Sequence, residues 1–254
     1  TAGTFTCTND CTMTSAGVSL TGNLGITGNA SLTTITAKTS GDRRHFYVVS
    51  SRTLSLKWLK LTGGSQSSGV GGSIRVDGTG STLHATSCVF FLNTARFGGG
   101  VYNAYGSTLI QDSIIANNTA VYQGGGIRQV LGTATIIRSL ISRNRQTTGT
   151  SASHGGGGVY IVVNAVLNVR ETTIEHNRAG TNNGHQIMAF KRNSQGAAPA
   201  VTVVNTRFIP CTACETTGTN FYLYDYDDQP NSGAAAYGTL SRKTCSASPC
   251  TVSP

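Results

Sequence analysis

The sequence predicts an all-β protein, a single-stranded right-handed parallel β-helix whose coils are roughly 25 to 34 residues long. Three observations predict this fold. The composition favours strands and turns, a glycine-led motif recurs along the chain, and apolar residues alternate with polar ones inside each repeat. Coils of this kind stack, so that neighbouring coils cover each other's inner face and share one core.

Composition is the first observation. Only 11% of the 254 residues are charged, against about 25% in ordinary globular domains. The 32 glycines and the many Thr, Ser, Asn and Val residues suit strands and turns better than helices. The chain also holds enough β-branched residues that disorder is not predicted.

A recurring motif is the second observation. Four segments each begin with glycines and a β-branched residue, and each ends with an apolar residue followed three positions later by Asn. The β-branched residues are Ile74, Val101, Ile127 and Val159; the closing pairs are Phe90 and Asn93, Ile115 and Asn118, Ile141 and Asn144, and Ile174 and Asn177. The closing apolar residues are 25, 26 and 33 residues apart, so the longest coil needs an insertion, which we assign to the surface loop TTGTSASH.

Alternation inside the coils is the third observation. Apolar or small residues recur with period two at matching positions of successive coils: Leu83 and Ala85, Thr108 and Ile110, Ala134 and Ile136, Leu167 and Val169, and Val201 and Val203. Side chains of a strand point alternately to its two faces, so these positions are predicted to stack as inward ladders.

Polar residues at fixed coil positions receive structural interpretations. The asparagines Asn93, Asn118, Asn144 and Asn177 are predicted to form a ladder at a turn, because Asn tolerates a left-handed backbone and its amide can bond the Asn above and below. A row of ligand-binding amides is the alternative. The glycine runs at 98–100, 124–126 and 155–158 predict tight corners and not phosphate loops, since no Lys-Ser/Thr follows them.

These repeats resemble a known family. The patterns GGG-(I/V) and (F/I)-x-x-N-x-A resemble the GGA(I/L/V) and FxxN repeats of polymorphic outer membrane protein passengers, and more broadly the right-handed β-helix proteins with a pectin-lyase-like fold. The resemblance covers roughly residues 54–210. It implies a fold shared by surface adhesins, wall or structural proteins, polysaccharide lyases, hydrolases and epimerases, so it does not settle the activity.

The seven cysteines suggest stapled ends. Six fall into close pairs near the chain ends, for which we favour the pairings Cys7–Cys11, Cys211–Cys214 and Cys245–Cys250, while other connectivities and a four-cysteine zinc site from the last four remain open. We predict one domain, 1–254, with an N-terminal cap at 1–20, coils at 21–210 and a C-terminal cap at 211–254. The seventh cysteine, Cys88, aligns with Ser113, Ser139, Thr172 and Thr206 in the other coils. This alignment predicts that Cys88 is a small buried side chain in a second ladder.

Catalytic motifs are hard to find in this sequence. A pectinase-like hydrolase needs clustered carboxylates, and Asp77, Asp112, Glu171 and Glu175 do not cluster by sequence. The NTD, GHG, RIK and DPHD motifs of the resembled enzymes are missing, although SHGGG at His154 partly echoes GHG. No HxxxH or HxH pair exists, so neither catalytic residues, a metal nor a cofactor is predicted.

One acidic cluster and two sequons complete the candidate sites. In FYLYDYDDQP, the residues Tyr224, Asp225, Tyr226, Asp227 and Asp228 suggest either a cap strand with aromatics inward or a sugar or cation site. Asn29 and Asn117 lie in N-x-S/T sequons. Because Asn117 neighbours the ladder residue Asn118, we expect its side chain to point to solvent.

The net charge of +9 allows attraction to an acidic polysaccharide, an anionic surface or nucleic acid, but we favour the simpler interpretation of a soluble protein whose few charges happen to be basic. Nucleic acid is not expected, because basic and aromatic residues are not interleaved on one element. No apolar run is long enough for a membrane span. We therefore predict a non-catalytic extracellular structural or adhesive protein of a cell surface, wall or appendage, which associates with itself or with other surface proteins. A carbohydrate-active enzyme, a polysaccharide lyase or hydrolase, is the alternative, and ice binding is a third.

Overall fold

The computed structural model describes residues 3–6, 9–37, 40–148, 151, 153–180, 184–191, 197, 199–209, 221–225 and 250–252. Within these ranges every regular element is a β-strand. In chain order the strands are β1 (Gly3–Thr6), β2 (Cys11–Thr12), β3 (Val18–Ser19), β4 (Leu24–Thr27), β5 (Thr33–Thr36), β6 (Phe46–Val48), β7 (Thr53–Lys57), β8 (Leu59–Thr62), β9 (Ser65–Val70), β10 (Ile74–Asp77), β11 (Thr82–Thr86), β12 (Val89–Phe91), β13 (Thr94–Phe97), β14 (Val101–Ala104), β15 (Ser107–Gln111), β16 (Ile114–Ala116), β17 (Thr119–Gln123), β18 (Ile127–Ile137), β19 (Leu140–Ser142), β20 (Arg145–Gln146), β21 (Val159–Arg170), β22 (Thr173–Glu175), β23 (Arg178–Ala179), β24 (Ile187–Lys191), β25 (Ala200–Val204), β26 (Thr206–Ile209), β27 (Phe221–Asp225) and β28 (Cys250–Val252).

The strands form three sheets of a parallel β-solenoid of about six turns, of which the third, with five strands, covers only the middle coils. Sheet A has two arms. Its first arm contains β3, β6, β10, β14, β24 and β27, its second arm contains β1, β4, β7, β11, β15 and β25, and the long strands β18 and β21 span both. Sheet B contains β2, β5, β8, β12, β16, β19, β22, β26 and β28; sheet C contains β9, β13, β17, β20 and β23. Among the described strands, only β28 pairs in antiparallel fashion.

The register confirms the stacking that the repeats predict. Phe90 pairs with Ile115, Ile115 with Ile141, and Ile141 with Ile174. The stack continues outward to Leu61 on one side and Phe208 on the other. Coil lengths in this stack run from 25 residues, between Phe90 and Ile115, to 34 residues, between Ile174 and Phe208.

One hydrophobic core follows the axis of the solenoid. Inward apolar side chains from the coils between Leu20 and Phe208 form it, and each of them is at most 6% exposed. The alternating positions found in the sequence face this core, since Leu83 pairs with Thr108, Thr108 with Ala134, and Ala134 with Leu167. Each coil therefore buries the inner face of its neighbours, as solenoid coils must.

The coils between residues 71 and 176 turn at four corners, and each of these corners has a residue with a left-handed backbone. In the coil 98–123 these residues are Gly98, Tyr105, Asp112 and Asn117, with φ between 50° and 71°. The glycine run supplies the tightest corner. A Cβ on Gly99 would lie 2.3 Å from the carbonyl oxygen of Gly125 in the next coil. The predicted interpretation of these glycines as crowded corners is therefore confirmed.

The four asparagines form a continuous ladder at the corner between sheets B and C. Nδ2 of Asn93 donates to Oδ1 of Asn118 at 3.0 Å, and this bond repeats from Asn118 to Asn144 and from Asn144 to Asn177. The backbone N–H of each also donates to the same oxygen of the next. All four side chains are fully buried, so the ladder satisfies polar groups that water does not reach.

Of the two reasons expected for asparagine at these positions, the amide ladder is confirmed and the left-handed backbone is wrong. The ladder asparagines do not have a left-handed backbone; the residues before them do, namely Leu92, Asn117, Arg143 and His176, with φ of 52° to 54°. Asparagine is required at the next position for its amide, which bonds both along the ladder and to backbone carbonyls such as that of Phe90.

A second ladder lies at the corner between the second arm of sheet A and sheet B. The hydroxyl of Ser113 accepts the N–H of Cys88, the hydroxyl of Ser139 accepts that of Ser113, and Thr172 accepts that of Ser139, at 2.9 to 3.2 Å. Each of these hydroxyls donates to the carbonyl two residues before it. Cys88 is buried in this column, and desolvation raises the pKa of its thiol to about 11.

Candidate functional site

One outward column of sheet A alternates tyrosine and arginine. Tyr47, Arg75, Tyr102, Arg128 and Tyr160 pair with one another in successive strands of the first arm. Each follows the inward residue that opens its strand, so it points away from the core. We call these five residues the arginine–tyrosine row.

The row is held together by contacts between guanidinium groups and aromatic rings. Arg75 lies 4.7 Å from the ring centroid of Tyr47, and Arg128 lies 5.2 and 5.9 Å from those of Tyr102 and Tyr160. These distances are typical of cation–π interactions. Because neighbouring strands are about 4.8 Å apart, the stacking of coils brings each arginine next to a tyrosine.

A second arginine joins the row near its N-terminal end. The Arg44 guanidinium lies 5.7 Å from the Tyr47 ring and donates from Nη2 to Oε1 of Gln66 at 2.6 Å. Burial, and after it the charge of Arg75, lowers the pKa of Arg44. The two arginines therefore repel each other across Tyr47, and an anion bound there would relieve the repulsion. Asp77, which forms an ion pair with Arg75, compensates one of the two charges.

Aromatic side chains from sheet C and the following loop flank the row. The rings of Phe97 and Tyr122 are 5.5 Å apart, and the His154 ring is 4.8 Å from that of Tyr122. Arg96 is exposed and lies 5.1 Å from the Tyr122 ring. We call Phe97, Tyr122 and His154 the aromatic flank. It extends the row sideways with the same combination of cations and rings.

Arg128, where the row meets the flank, has no carboxylate partner among the described residues. Its guanidinium lies 4.9 Å from the Phe97 ring, and its Nε donates to Oε1 of Gln123 at 2.7 Å. In the part of the chain that the structure describes, the ion pairs are Arg75 with Asp77 and Arg138 with Asp112. Burial lowers the pKa of Arg128. A half-buried cation without a counter-ion favours the approach of an anion, because pairing offsets its desolvation.

Accessibility changes along the row. Tyr47, Arg75, Tyr102 and Arg128 are half-buried. Tyr160 is fully buried, and its hydroxyl donates to the carbonyl of Ser153 in the insertion after sheet C at 2.8 Å. A ligand could therefore reach the row over four coils, from Tyr47 to Arg128.

The chemistry of this surface is that of anion binding. A guanidinium donates paired N–H bonds to carboxylates or other oxyanions, and tyrosine hydroxyls add polar contacts at the edge of the row. His154 adds a different group, because burial lowers the pKa of its imidazole and favours the neutral ring.

The carboxylates named in the sequence analysis do not form one cluster, and the remaining histidines lie at separate positions. Asp77 is in the row region, whereas Asp112 and Glu171 occupy a corner beside sheet B. His84 is exposed, His176 is half-buried, and His45 and His185 are buried. No group of three or more His, Cys, Asp or Glu that could hold a metal ion occurs among the described residues.

The predicted cysteine pairs fall mostly outside the described residues. Cys11 is exposed on β2, and Cys250 belongs to β28. Cys7, Cys211, Cys214 and Cys245 lie outside the described residues, so the three pairings stay predictions. Residues 3–19 contribute β1, β2 and β3, which pair with β4, β5 and β6 and extend the sheets of the solenoid.

The remaining candidate sites are only partly described. Tyr224 and Asp225 lie in β27, which pairs with β24, while Tyr226, Asp227 and Asp228 lie outside the described residues. The sugar or cation site there stays a prediction. Asn29 is exposed, and its Oδ1 accepts the N–H of Ser31 at 3.1 Å. Asn117 is half-buried at the corner that follows β16.

A shallow depression of about 330 Å³ lies on the second arm of sheet A. Gly25, Thr27, Ser55, Leu56, Lys57 and Thr86 line it. Its small side chains leave room for a ligand, but Lys57 is its only charged lining residue and lies 4.0 Å from the Trp58 ring. The depression therefore offers less binding chemistry than the row.

Sequence reasoning missed the arginine–tyrosine row. Its members are spaced by the coil length, so a search for basic and aromatic residues close together in sequence does not find them. The signal was present in the aligned repeats, where Arg75, Tyr102, Arg128 and Tyr160 each follow the β-branched residue after the glycines. Basic and aromatic residues do not alternate within one strand, but they do alternate from one strand to the next.

No protein-family model, no curated protein and no solved structure matches this chain. In the part of the chain that the structure describes, no helix is long and apolar enough to span a membrane.

Proposed function

We propose that this chain is a non-catalytic extracellular component of a cell surface, wall or appendage, and that it adheres to acidic polysaccharide along the arginine–tyrosine row. The alternation of Arg and Tyr on one outward column of the solenoid is the observation that supports this proposal. A solenoid fixed by two internal hydrogen-bond ladders presents this surface without reorganisation, which lowers the entropic cost of binding.

The spacing of the row fits an extended polymer. Arg75 and Arg128 are two strands apart, about 10 Å along the axis of the solenoid. That is close to the length of a disaccharide in an extended uronate chain. A polyuronate lying along the solenoid axis, with a carboxylate on every sugar, would place the carboxylate of every second sugar at an arginine.

The row suits a uronate chain better than a nucleic acid. Guanidinium groups already lie against the rings of Tyr47 and Tyr102, which leaves little aromatic face for the stacking of bases. The outward groups are N–H donors and phenol hydroxyls, which match carboxylates and sugar hydroxyls.

Affinity electrophoresis through gels that contain polygalacturonate, alginate or a neutral glucan tests the proposal. We expect retardation in the two acidic gels only, weakened by salt. Arg75→Met and Arg128→Met should each weaken binding about tenfold, because each removes a charge-assisted contact. The matched control is Arg170→Met, an exposed arginine on the second arm of sheet A, which should bind as the wild type does.

Two results would reject this proposal: equal retardation of wild type, R75M, R128M and R170M, or binding to the neutral glucan. Single-stranded DNA is added as a competitor. If it displaces the polysaccharide at lower concentration than oligogalacturonate does, nucleic acid is the better ligand.

A polysaccharide lyase is the second candidate, favoured by one observation. The His154 ring lies 4.8 Å from Tyr122, and the lowered pKa of His154 favours a neutral imidazole that can accept a proton. Proton abstraction beside an arginine-bound carboxylate is the chemistry that a lyase needs. Incubation with the same polymers, followed at the absorbance of unsaturated uronides, distinguishes the two candidates, since turnover would support the lyase.

The finer features of the fold belong to the same proposal. We infer a right-handed, pectin-lyase-like solenoid, because connections between parallel strands of one sheet are almost always right-handed. Disulfide-stapled caps at 1–20 and 211–254 and glycans at Asn29 and Asn117 would suit an extracellular site. Mass measurement before and after reduction and deglycosylation checks both modifications.

A further inference from the structure

We propose that two copies of this chain pair face to face through sheet B. The twofold axis lies in the interface, above β16 and parallel to it. The argument is independent of the arginine–tyrosine row and goes beyond the proposed function. It rests on an apolar patch at the centre of sheet B and on the charges that border the patch.

The outer surface of sheet B is apolar over three successive coils. Val89 and Phe91 of β12, Ile114 of β16 and Leu140 of β19 point outward, with Leu92 at the corner beside them. Leu92 is 54% exposed and Ile114 is 39% exposed. We call these five residues the sheet B patch. A contiguous apolar patch of this kind marks an interaction surface.

The charges beside the patch follow an order that matches a second, inverted copy. Lys60 on β8 precedes Ile114 by two strands, and Glu175 on β22 follows it by two strands. Both are half-buried and point outward. Rotation by 180° about an axis parallel to β16 exchanges β8 with β22, so Lys60 of one copy would lie opposite Thr173 of the other. Glu175 is two residues further along β22, about 7 Å away along the strand, and the long Lys60 side chain would reach its carboxylate.

The same relation holds one strand further out. On one side, Asp10 accepts the N–H of Thr34 on β5 at 2.6 Å, and Thr34 lies in the column of Lys60 and Ile114. On the other side, Arg207 of β26 lies in this column. The strands β5 and β26 are both three positions from β16, so Thr34 would lie opposite Arg207 of the other copy. Asp10, whose carboxylate lies at the backbone of Thr34, would be next to that arginine.

Along the solenoid axis, sheet B therefore presents five zones in this order: negative at Asp10, positive at Lys60, apolar at the sheet B patch, negative at Glu175 and positive at Arg207. That order is complementary to its own inversion, which is the condition for an isologous dimer. Among the described residues, none of Asp10, Lys60, Glu175 and Arg207 has an ion-pair partner within the chain. The four charges are thus available for pairing between copies.

Substitution at the axis gives the first test, read by sedimentation velocity over a range of concentrations. The dimer requires that Asn117, which borders the patch, carries no glycan, so this proposal and the glycan proposed at Asn117 exclude each other and the protein is produced without N-glycans. Wild type should dimerise, and Ile114→Arg should be monomeric, since two arginines would meet at the axis. The control Leu109→Arg changes a half-buried outward residue of the same coil on sheet A, and it should dimerise as wild type does.

Charge exchange gives the second and sharper test. Lys60→Glu and Glu175→Lys should each weaken dimerisation about tenfold or more, because each creates two like-charge contacts in a symmetric dimer. The double variant K60E/E175K should regain wild-type affinity. An equimolar mixture of the two single variants should form a heterodimer, because both contacts are then attractive.

Circular dichroism and urea unfolding of every variant show whether it is folded. A monomeric wild type at high concentration would overturn the proposal. So would equal behaviour of I114R and L109R, or failure of both the double variant and the mixture to restore the dimer.

Discussion

Asn118 donates from Nδ2 to Oδ1 of Asn144, one coil further along, at 3.0 Å, and both side chains are fully buried. The same oxygen of Asn144 accepts the backbone N–H of Asn118, also at 3.0 Å. A single amide thus satisfies the side chain and the backbone of its neighbour. Coils of different length are held in register at this corner, since the bond recurs across the 33-residue step from Asn144 to Asn177.

Removal of one amide from the ladder should be costly. Asn118→Ala leaves the backbone N–H of Asn93 and one of the two N–H groups of its Nδ2 without an acceptor, while the other still donates to the carbonyl of Leu61. We expect the free energy of unfolding to fall by about 3 kcal/mol, because these donors stay buried. Urea unfolding measures the change. Thr119→Ala, at a half-buried outward position one residue later, should cost about 0.5 kcal/mol or less. Equal losses in the two variants would show that the ladder does not stabilise the fold.

The hydroxyl ladder should tolerate threonine but not alanine. Ser139→Ala leaves the N–H of Ser113 without its acceptor, so we expect a loss of about 1 to 2 kcal/mol. Ser139→Thr keeps the hydroxyl, and Thr172 and Thr206 already occupy equivalent positions, so it should retain most of the stability. Thermal and urea unfolding of both variants check this order. A threonine variant that is less stable than the alanine variant would contradict it.

Two glycines should respond differently to a methyl group. In Gly99→Ala the new Cβ would lie 2.3 Å from the carbonyl oxygen of Gly125, and we expect a loss of about 3 kcal/mol or more. In Gly25→Ala the Cβ meets nothing within 4 Å, so stability should change by less than about 1 kcal/mol. Soluble yield and the urea midpoint report both effects. Similar midpoints for the two variants would refute the crowding of coils at the glycine corner.

Acid should destabilise the protein through His45. This side chain is fully buried, with Nδ1 3.0 Å from the Ser73 hydroxyl and Nε2 3.0 Å from the Ile35 carbonyl oxygen. Burial lowers its pKa from 6.5 to about 4. Below pH 6.5 the unfolded chain binds a proton that the folded chain does not bind until about pH 4. Stability is therefore full above pH 6.5 and falls by about 3 kcal/mol towards pH 4.

The free energy of unfolding, measured from pH 7 to pH 4, tests this dependence. His45→Gln should flatten the curve, whereas His84→Gln, at an exposed position, should leave it unchanged. The burial of His154 acts in the same direction, so the difference between wild type and H45Q isolates His45. Identical pH profiles for wild type and H45Q would be incompatible with a neutral buried His45.

Sequence alone predicted the solenoid because its signals are local to each coil. The glycine corners, the period-two alternation and the apolar residue three positions before each Asn each need only a few consecutive residues. Once Phe90, Ile115, Ile141 and Ile174 were aligned, the register followed, since one side chain per coil must fill each level of the core.

The candidate site could not be predicted in the same way, because it depends on which columns face outward next to each other. Arg128 meets Phe97 only because the first arm of sheet A folds against sheet C at the glycine corner. The burial of His45 was missed for a similar reason, since it depends on its contacts with Ile35 and Ser73 from other coils.

Chemical footprinting of arginines tests the central functional claim most directly. Phenylglyoxal modification, read residue by residue by mass spectrometry, is compared with and without oligogalacturonate. Binding along the row predicts protection of Arg75 and Arg128 and of the neighbouring Arg44 and Arg96, with Arg170 and Arg207 modified at unchanged rates. Uniform protection, or protection of Arg170 and Arg207 alone, would contradict the assignment of the ligand to the row.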